Sequence, residues 1–571
     1  MMCCSILAVV FAAASTADAI ERDLAGRDAA IDAEWRAVAS KSAFETKRDE
    51  FKRDFRRAVG FDGIIRTPLG ARTVETKGYG AFRVEKVLIE GAPGAFIPLL
   101  VFLPDPVRFS PPYAGFVFIP GHSDNGKAAQ SYLRTCELAA RNGLASVIYD
   151  PLGQGERSQG AGLKNVQEHV RIGEYATLLG ETTATYMVRD ASRVLDYLAE
   201  RPDVDNERLG VCGQSGGGTI CAFVMVAEDR IKASVPTCYL SSVREHLLAC
   251  GPQDAEQNFF GGWRWGFNHA SLVLSAGCPV LINASVNDFF QIEGSRSTCR
   301  LVKEVAVKVG LPDGWYGLAE NPGPHSMSKT HRERAVRFLL KHLNGSDMDV
   351  AETETTDFSA ADSVVTPDGE VSHLPGFRSV YDEIADKFAS RGVCAEQAAK
   401  NAARLVLAEL SCGDCGDVVA TMRGNVENGN RTVLRIGAAA AHGEVSAVLF
   451  AEGPRYSMLQ KRKGKLSCYE RRKDDEVVAV DLYMAGRSLV ALRAAELLTL
   501  AAELKRRTGR TPEIVAAGRF AIAVKFAVAA DPDAFAAVRF EAEPMSFLES
   551  VKARRDLPFA VSGAIFSGKG E

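Results

Sequence analysis

The sequence predicts an α/β fold: a doubly wound, mostly parallel sheet, followed by a truncated and degenerate second α/β unit. Two observations carry that expectation. Five short, continuously apolar segments alternate with helix-periodic stretches: Ala114–Ile119, Ala145–Tyr149, Leu209–Cys212, Ala233–Val235 and Pro279–Ala284. Strands of that kind belong to a parallel sheet covered on both faces. The second observation is Gly213-Gln214-Ser215-Gly216-Gly217, set between the strand candidate Leu209–Cys212 and the small-residue helical run Thr219–Ala227. A serine at such a turn is held in a strained conformation that exposes its hydroxyl. Glycines two positions either side let strand and helix crowd together without a Cβ clash. The pattern alone is weak in a chain with 51 glycines, but its strand-turn-helix setting marks Ser215 as a nucleophile candidate.

Taken in order, residues 1–19 resemble a secretory signal. Ile6 to Ala14 is apolar and Ala17-Asp18-Ala19 is a small-x-small cleavage site, although Met1 to Ser5 carry no positive charge. The expectation is a secreted or periplasmic protein. Residues 20–75 form a helical segment with Trp35, Val38, Phe44, Phe51 and Phe55 as its buried stripe. The catalytic domain spans residues 76–345. It starts with two β-rich segments, Phe82–Glu90 and Phe96–Leu103, divided by the turn-forming Gly91-Ala92-Pro93-Gly94. Val188, Ala191, Leu195 and Leu198 then mark the helix that feeds the serine strand.

Residues 346–375 are polar and turn-rich and read as a linker. Residues 376–571 echo the preceding domain. Val477–Val480 ends in Asp481, much as Ala145–Tyr149 ends in Asp150, and Gly486 precedes a helix at Ala491–Leu504. The strand Ile514–Ala516 then leads to Gly518-Arg519-Phe520-Ala521-Ile522. Gly180 to Ser215 is 35 residues and Gly486 to Phe520 is 34, which suggests a duplication with phenylalanine at the serine position. Only 51 residues follow Phe520, against 110 from Ser215 to His325. The second unit is therefore read as non-catalytic.

A serine hydroxyl needs a base within hydrogen-bond reach and a carboxylate to orient that base. Asp288 follows the Pro279–Ala284 strand, with Glu293 as the nearest competing carboxylate. His325 lies on Asn321-Pro322-Gly323-Pro324-His325, a rigid loop before the helix His331–Leu343. Of nine histidines it alone follows the acid on a loop fixed by glycine and proline. His331 and His342 read as surface residues of that helix, while His169, His246 and His269 precede the acid. The oxyanion donors are expected to be the backbone N–H groups of Gly216 and of His122, in Pro120-Gly121-His122-Ser123. The His122 imidazole receives no role. No metal-ligand cluster or dinucleotide fingerprint is legible, so neither metal nor cofactor is expected.

Several separate motifs then carry a resemblance. Gly121-His122, Asn125-Gly126-Lys127, Asp150-Pro151-Leu152-Gly153-Gln154-Gly155-Glu156-Arg157, Asp254-Ala255-Glu256-Gln257-Asn258 and Asp288-Phe289-Phe290-x-Ile292-x-Gly294 occur in that order. From about Phe82 to Leu343 the chain resembles the bacterial acetyl xylan esterase-like branch of the α/β-hydrolases, and long members of that group share its tandem arrangement. The resemblance implies deacetylation of plant-type polysaccharides or oligosaccharides. Gln154, Glu156, Glu256 and Gln257 are candidates for lining the substrate pocket, or for holding loops over the sheet.

Composition bounds the alternatives. With 46% apolar and 25% charged residues and a net charge of −4, the chain is globular and has no basic surplus for nucleic acid. No segment is long enough for a stable membrane span. Of 13 cysteines, Cys212, Cys221, Cys238 and Cys278 lie inside apolar runs and read as buried free thiols. Cys412-Gly413-Asp414-Cys415 lacks a partner motif. The alternative functions are a peptidase of the prolyl-oligopeptidase type and a non-catalytic carbohydrate-binding protein. Fewer than 110 residues before Ala114 leave little room for a propeller.

Overall fold

The computed structural model describes residues 25–249, 255–259, 261–391, 395–411, 422–424, 432–436, 444–447, 449, 488–517 and 520–541. The signal-like segment, Asp254, Cys412, Cys415, Val477–Asp481, Gly486, Gly518 and Arg519 lie outside them.

A nine-stranded sheet organises the first 345 residues. Its strands are β1 (Arg72–Gly78), β2 (Phe82–Ala92), β3 (Ala95–Pro104), β4 (Tyr113–Ile119), β5 (Ala145–Tyr149), β6 (Val204–Gln214), β7 (Ile231–Thr237), β8 (Val280–Asn287) and β9 (Tyr316–Pro324). They are ordered β1-β2-β3-β5-β4-β6-β7-β8-β9. The first three are antiparallel neighbours, β3 runs antiparallel to β5, and from β5 onward every pair is parallel. All residues of β4 and β5 are buried, as continuous apolar strands require. The helices Gln130–Arg141 and Lys329–Asn344 cover one face. Thr183–Ala199, Gly216–Ala227, His269–Ser275 and Ile292–Val309 contribute to the core on the other.

The five expected strands and the two leading β segments are all present, most of them longer than expected. Two strands had no counterpart in the sequence reading. β1 is exposed along its whole length, so it shows no apolar pattern; as an edge strand it is blunted by charge instead. β9 contains Gly317, Pro322, Gly323 and Pro324, and the stretch before His325 is therefore strand end rather than free loop. Among the described residues it pairs on one side only, with β8, which leaves proline tolerable there.

The N-terminal stripe behaves as expected. Trp35, Val38, Phe44, Phe51 and Phe55 are all buried. Trp35 Nε1 donates to Ser271 Oγ at 2.8 Å, fixing this segment to the helix beside the sheet. The supposed linker, by contrast, is a packed strap. Phe358 sits among Tyr79, Phe82 and Phe102, with ring centroids 5.4, 6.5 and 5.8 Å away. Arg332 pairs with Glu352, and Lys77 with Asp362. Polar composition hid a segment that is held largely by ion pairs and backbone donors.

A second sheet has strands β10 (Arg423–Gly424), β11 (Val433–Ile436), β12 (Glu444–Ser446), β13 (Glu513–Ala516) and β14 (Ala537–Phe540). Its order is β10-β12-β11-β13-β14, with β10 antiparallel to β12 and the other pairs parallel. The same order and directions occur at the centre of the larger sheet, in β3-β5-β4-β6-β7. The helix Leu489–Thr508 precedes β13 and the helix Ala521–Ala530 follows Phe520.

Candidate active site

Ser215 stands at the end of β6 and caps the helix Gly216–Ala227 with φ 58° and ψ −122°. A non-glycine residue with positive φ is strained. The surroundings enforce the turn sterically. A Cβ on Gly213 would strike the Gly217 carbonyl, one on Gly217 would strike the Ile119 carbonyl, and one on Gly216 would strike the His122 ring. Gly216 opens the helix, so its N–H has no intrahelical acceptor.

Asp288 and His325 meet at the ends of β8 and β9. His325 Nδ1 is 2.9 Å from both Asp288 oxygens, and the Asp288 side chain is 1% exposed. Phe289 stacks on the imidazole with ring centroids 4.3 Å apart. His325 Nε2 faces Gln214 Nε2 at 3.1 Å. Among the described residues, the Ser215 hydroxyl makes no hydrogen bond to it. Resting hydrogen bonds of this type are often loose before substrate arrives. Cys238, with φ 54°, is a buried free thiol. Burial, then the nearby Asp288 charge, pushes it up to about 12, so it stays protonated beside the acid. Cys212, Cys221 and Cys278 are also free and buried.

The other expected site residues fall into two groups. Gln154 is buried, and its Oε1 accepts from Ser123 N at 2.6 Å; it holds the loop after β4. Glu156 is also buried. It accepts from Lys127 Nζ at 2.5 Å, Val365 N at 2.9 Å and Thr366 N at 2.6 Å. Its carboxylate anchors the strap, the loop-holding alternative of the two that the sequence left open. Glu256 and Gln257 share a short turn, Ala255–Gln257, and both are buried. Glu256 Oε1 is 3.6 Å from His122 Nε2. The His122 ring thus lies between Gly216 and an acid, a placement the sequence reading did not foresee.

His331 also differs from expectation. It is fully buried rather than on the surface, 3.1 Å from Ser285 Oγ and 2.7 Å from Ser328 Oγ. Burial pushes its imidazole down to about 4. His342 is half-buried. The signal for His331 was present in the sequence, since Ala335 and Leu339 continue its stripe at helical spacing. A cleft of about 1240 Å³ opens beside Arg56, Ile64, Leu179, Tyr186, Trp265 and Arg378, and none of Ser215, Asp288 and His325 lines it.

No protein-family model matches the chain. It is 27% identical to the Bacillus subtilis (strain 168) protein named "Putative hydrolase YtaP" over 316 residues, 52% of this chain and 100% of that protein. Among solved structures, the methylesterase BT1017 is 19% identical, covering 62% of this chain and 77% of its own, with TM-score 0.47. The acetyl xylan esterase from Paenibacillus sp. R4 is 19% identical, covering 52% and 95%, with TM-score 0.39. The antiparallel entry into a parallel sheet, its strand order, and a strained serine at the central strand end make residues 72–344 an α/β-hydrolase in fold.

Proposed function

We propose that the chain is a serine carboxylic-ester hydrolase that removes acyl groups, acetyl above all, from carbohydrate. The observation that carries this reading is the strained Ser215 at the end of β6, with the His325–Asp288 pair reaching the residue next to it. In the proposed cycle Ser215 Oγ attacks the acyl carbonyl while His325 Nε2 takes its proton. Asp288 keeps the other imidazole nitrogen protonated and correctly turned. The tetrahedral oxyanion is met by the Gly216 N–H and by the loop that carries His122. Collapse expels the sugar oxygen, which receives the proton from His325. Water then attacks the acyl-enzyme by the same base and releases the acid. The carbohydrate class rests on the family motifs between Gly121 and Gly294.

The second sheet supports a further part of this reading, that residues 376–571 are a retired copy of the catalytic unit. Its order repeats that of the larger sheet around β6. Phe520, at the serine's place, has φ −82° and so lacks both the hydroxyl and the strained turn.

The test is turnover of a chromogenic acetate ester by wild type and Ser215→Ala, followed by acetylated, methyl and feruloyl glycan esters. Loss of activity in Ser215→Ala is expected; activity that survives it overturns the mechanism. Cleavage of peptide amides in preference to esters overturns the substrate class.

A further inference from the structure

His122, from the loop after β4, His169, from the helix Val166–Ala176, and Glu256 converge beside the nucleophile turn. His122 Nε2 is 3.2 Å from His169 Nδ1 and 3.6 Å from Glu256 Oε1, and His169 Nδ1 is 3.8 Å from Glu256 Oε2. A tetrahedral zinc ion with bonds of about 2.0–2.1 Å holds its ligand atoms about 3.3 Å apart. The carboxylate faces the two imidazoles with different oxygens. With one ligand atom taken from each residue, all three lie within 4.8 Å of one another, so the side chains close around such an ion by drawing together.

The environment of His169 points the same way. Its Nε2 lies 2.7 Å from the Leu152 carbonyl. The carbonyl can only accept, so Nε2 carries the proton and Nδ1 presents its lone pair to His122 and Glu256. An imidazole fixed by its second nitrogen on a backbone carbonyl is the usual setting of a metal ligand. His169 and Glu256 are fully buried, while the His122 side chain is 19% exposed, so the cluster is reached from the His122 side. That ring also packs against Gly216.

We infer that His122, His169 and Glu256 form a binding site for a divalent transition cation of the zinc class, adjoining the oxyanion side of Ser215. Two imidazoles and one carboxylate suit such ions over calcium or magnesium, which prefer oxygen ligands throughout. With one anionic ligand, the bound ion keeps a net positive charge near the Gly216 N–H. There it would favour a developing oxyanion or an anionic substrate group. The sequence reading found no such site because the residues come from three separate stretches, the two histidines alone being 47 positions apart.

The test uses the full chain, stripped with a chelator and titrated with zinc chloride by calorimetry. Wild type and Ser215→Ala are expected to bind one ion at this site equally well. Glu256→Gln and His122→Gln should each weaken that binding by about tenfold or more. His122→Gln alters the partly exposed member, and circular dichroism checks that both variants fold. No zinc binding in the wild type overturns the inference and leaves a histidine pair sharing a proton. Binding that both folded variants retain unchanged places the ion elsewhere and also overturns it. Neither result depends on ester turnover, so the metal site and the esterase reading can fail separately.

Discussion

Gln214 Nε2 lies 3.1 Å from His325 Nε2, so the residue preceding Ser215 occupies the lone pair that takes the serine proton in the proposed mechanism. With His325 Nδ1 turned to Asp288, Nε2 of the neutral imidazole is an acceptor and the Gln214 amide must donate. Tyr132 fixes the amide by donating its hydroxyl to Gln214 Oε1 at 2.8 Å. Such a bond contributes about 0.5–1.5 kcal/mol net, little enough to be exchanged for Ser215 when substrate enters. Gln214→Leu removes the competing donor at similar volume and is expected to keep kcat/KM within about fivefold of wild type. Gln214→Glu puts an acceptor in its place, holds a proton on Nε2 and should cost at least about tenfold. Steady-state kinetics on an acetate ester separates the two. Equal losses would mean that Gln214 serves packing alone.

The strain at Ser215 gives a second expectation. Its φ of 58° with ψ −122° suits glycine far better than any residue with a Cβ. Ser215→Ala and Ser215→Gly should therefore both abolish turnover but differ in stability. The glycine variant is expected to be more stable than the alanine variant by about 1 kcal/mol, after its larger unfolded-state entropy is counted. Denaturant unfolding of the two inactive proteins measures this directly. A less stable glycine variant would show that the turn is not strained.

The geometry of the candidate site was legible in outline because chain order and strand ends are written locally. Ser215, Asp288 and His325 each follow a strand, and apolar runs reveal the interior strands. β1 and β9 escaped because edge strands need not be apolar, and proline and glycine argued against β9. Glu156 stayed open between lining the pocket and holding a loop because a motif names a residue without naming its partners, and Thr366 is 210 positions away. Two contacts at the site, Gln214 with His325 and Glu256 with His122, depend on how distant turns overlie one another. No local pattern encodes either.

Glu156 supplies a third expectation. Lys127 is buried with Asp150 and Glu156, each 2.5 Å from its ammonium. Burial opposes that charge, but the two carboxylates outweigh it and hold Lys127 above its ordinary value. Removing one partner of a buried charge cluster is costly because the remaining charges lose compensation. Glu156→Gln is expected to lower stability by about 3 kcal/mol and to loosen the strap at Val365 and Thr366, leaving KM unchanged. Unfolding curves, limited proteolysis of residues 346–375 and kinetics test the three parts. A raised KM at undiminished stability would restore the substrate-lining role.

The last expectation concerns acid. His269 and His331 are buried, and burial pushes each imidazole from 6.5 down to about 4. His269 Nδ1 accepts from the Ser241 N–H at 3.0 Å, an arrangement open only to the neutral ring. Between those values the unfolded chain binds protons that the folded one refuses, so stability falls as the pH drops from about 6.5 to about 4 and is fully present above that window. A shift of this size corresponds to roughly 3 kcal/mol for each histidine. Replacing His331 with glutamine keeps polar atoms near Ser285 and Ser328 but removes one titrating group. The variant should lose stability at pH 7 yet show a shallower decline between pH 7 and pH 4 than wild type. Melting temperatures across that range decide it, and parallel curves for the two proteins would show that His331 takes up its proton in the folded state as readily as in the unfolded one.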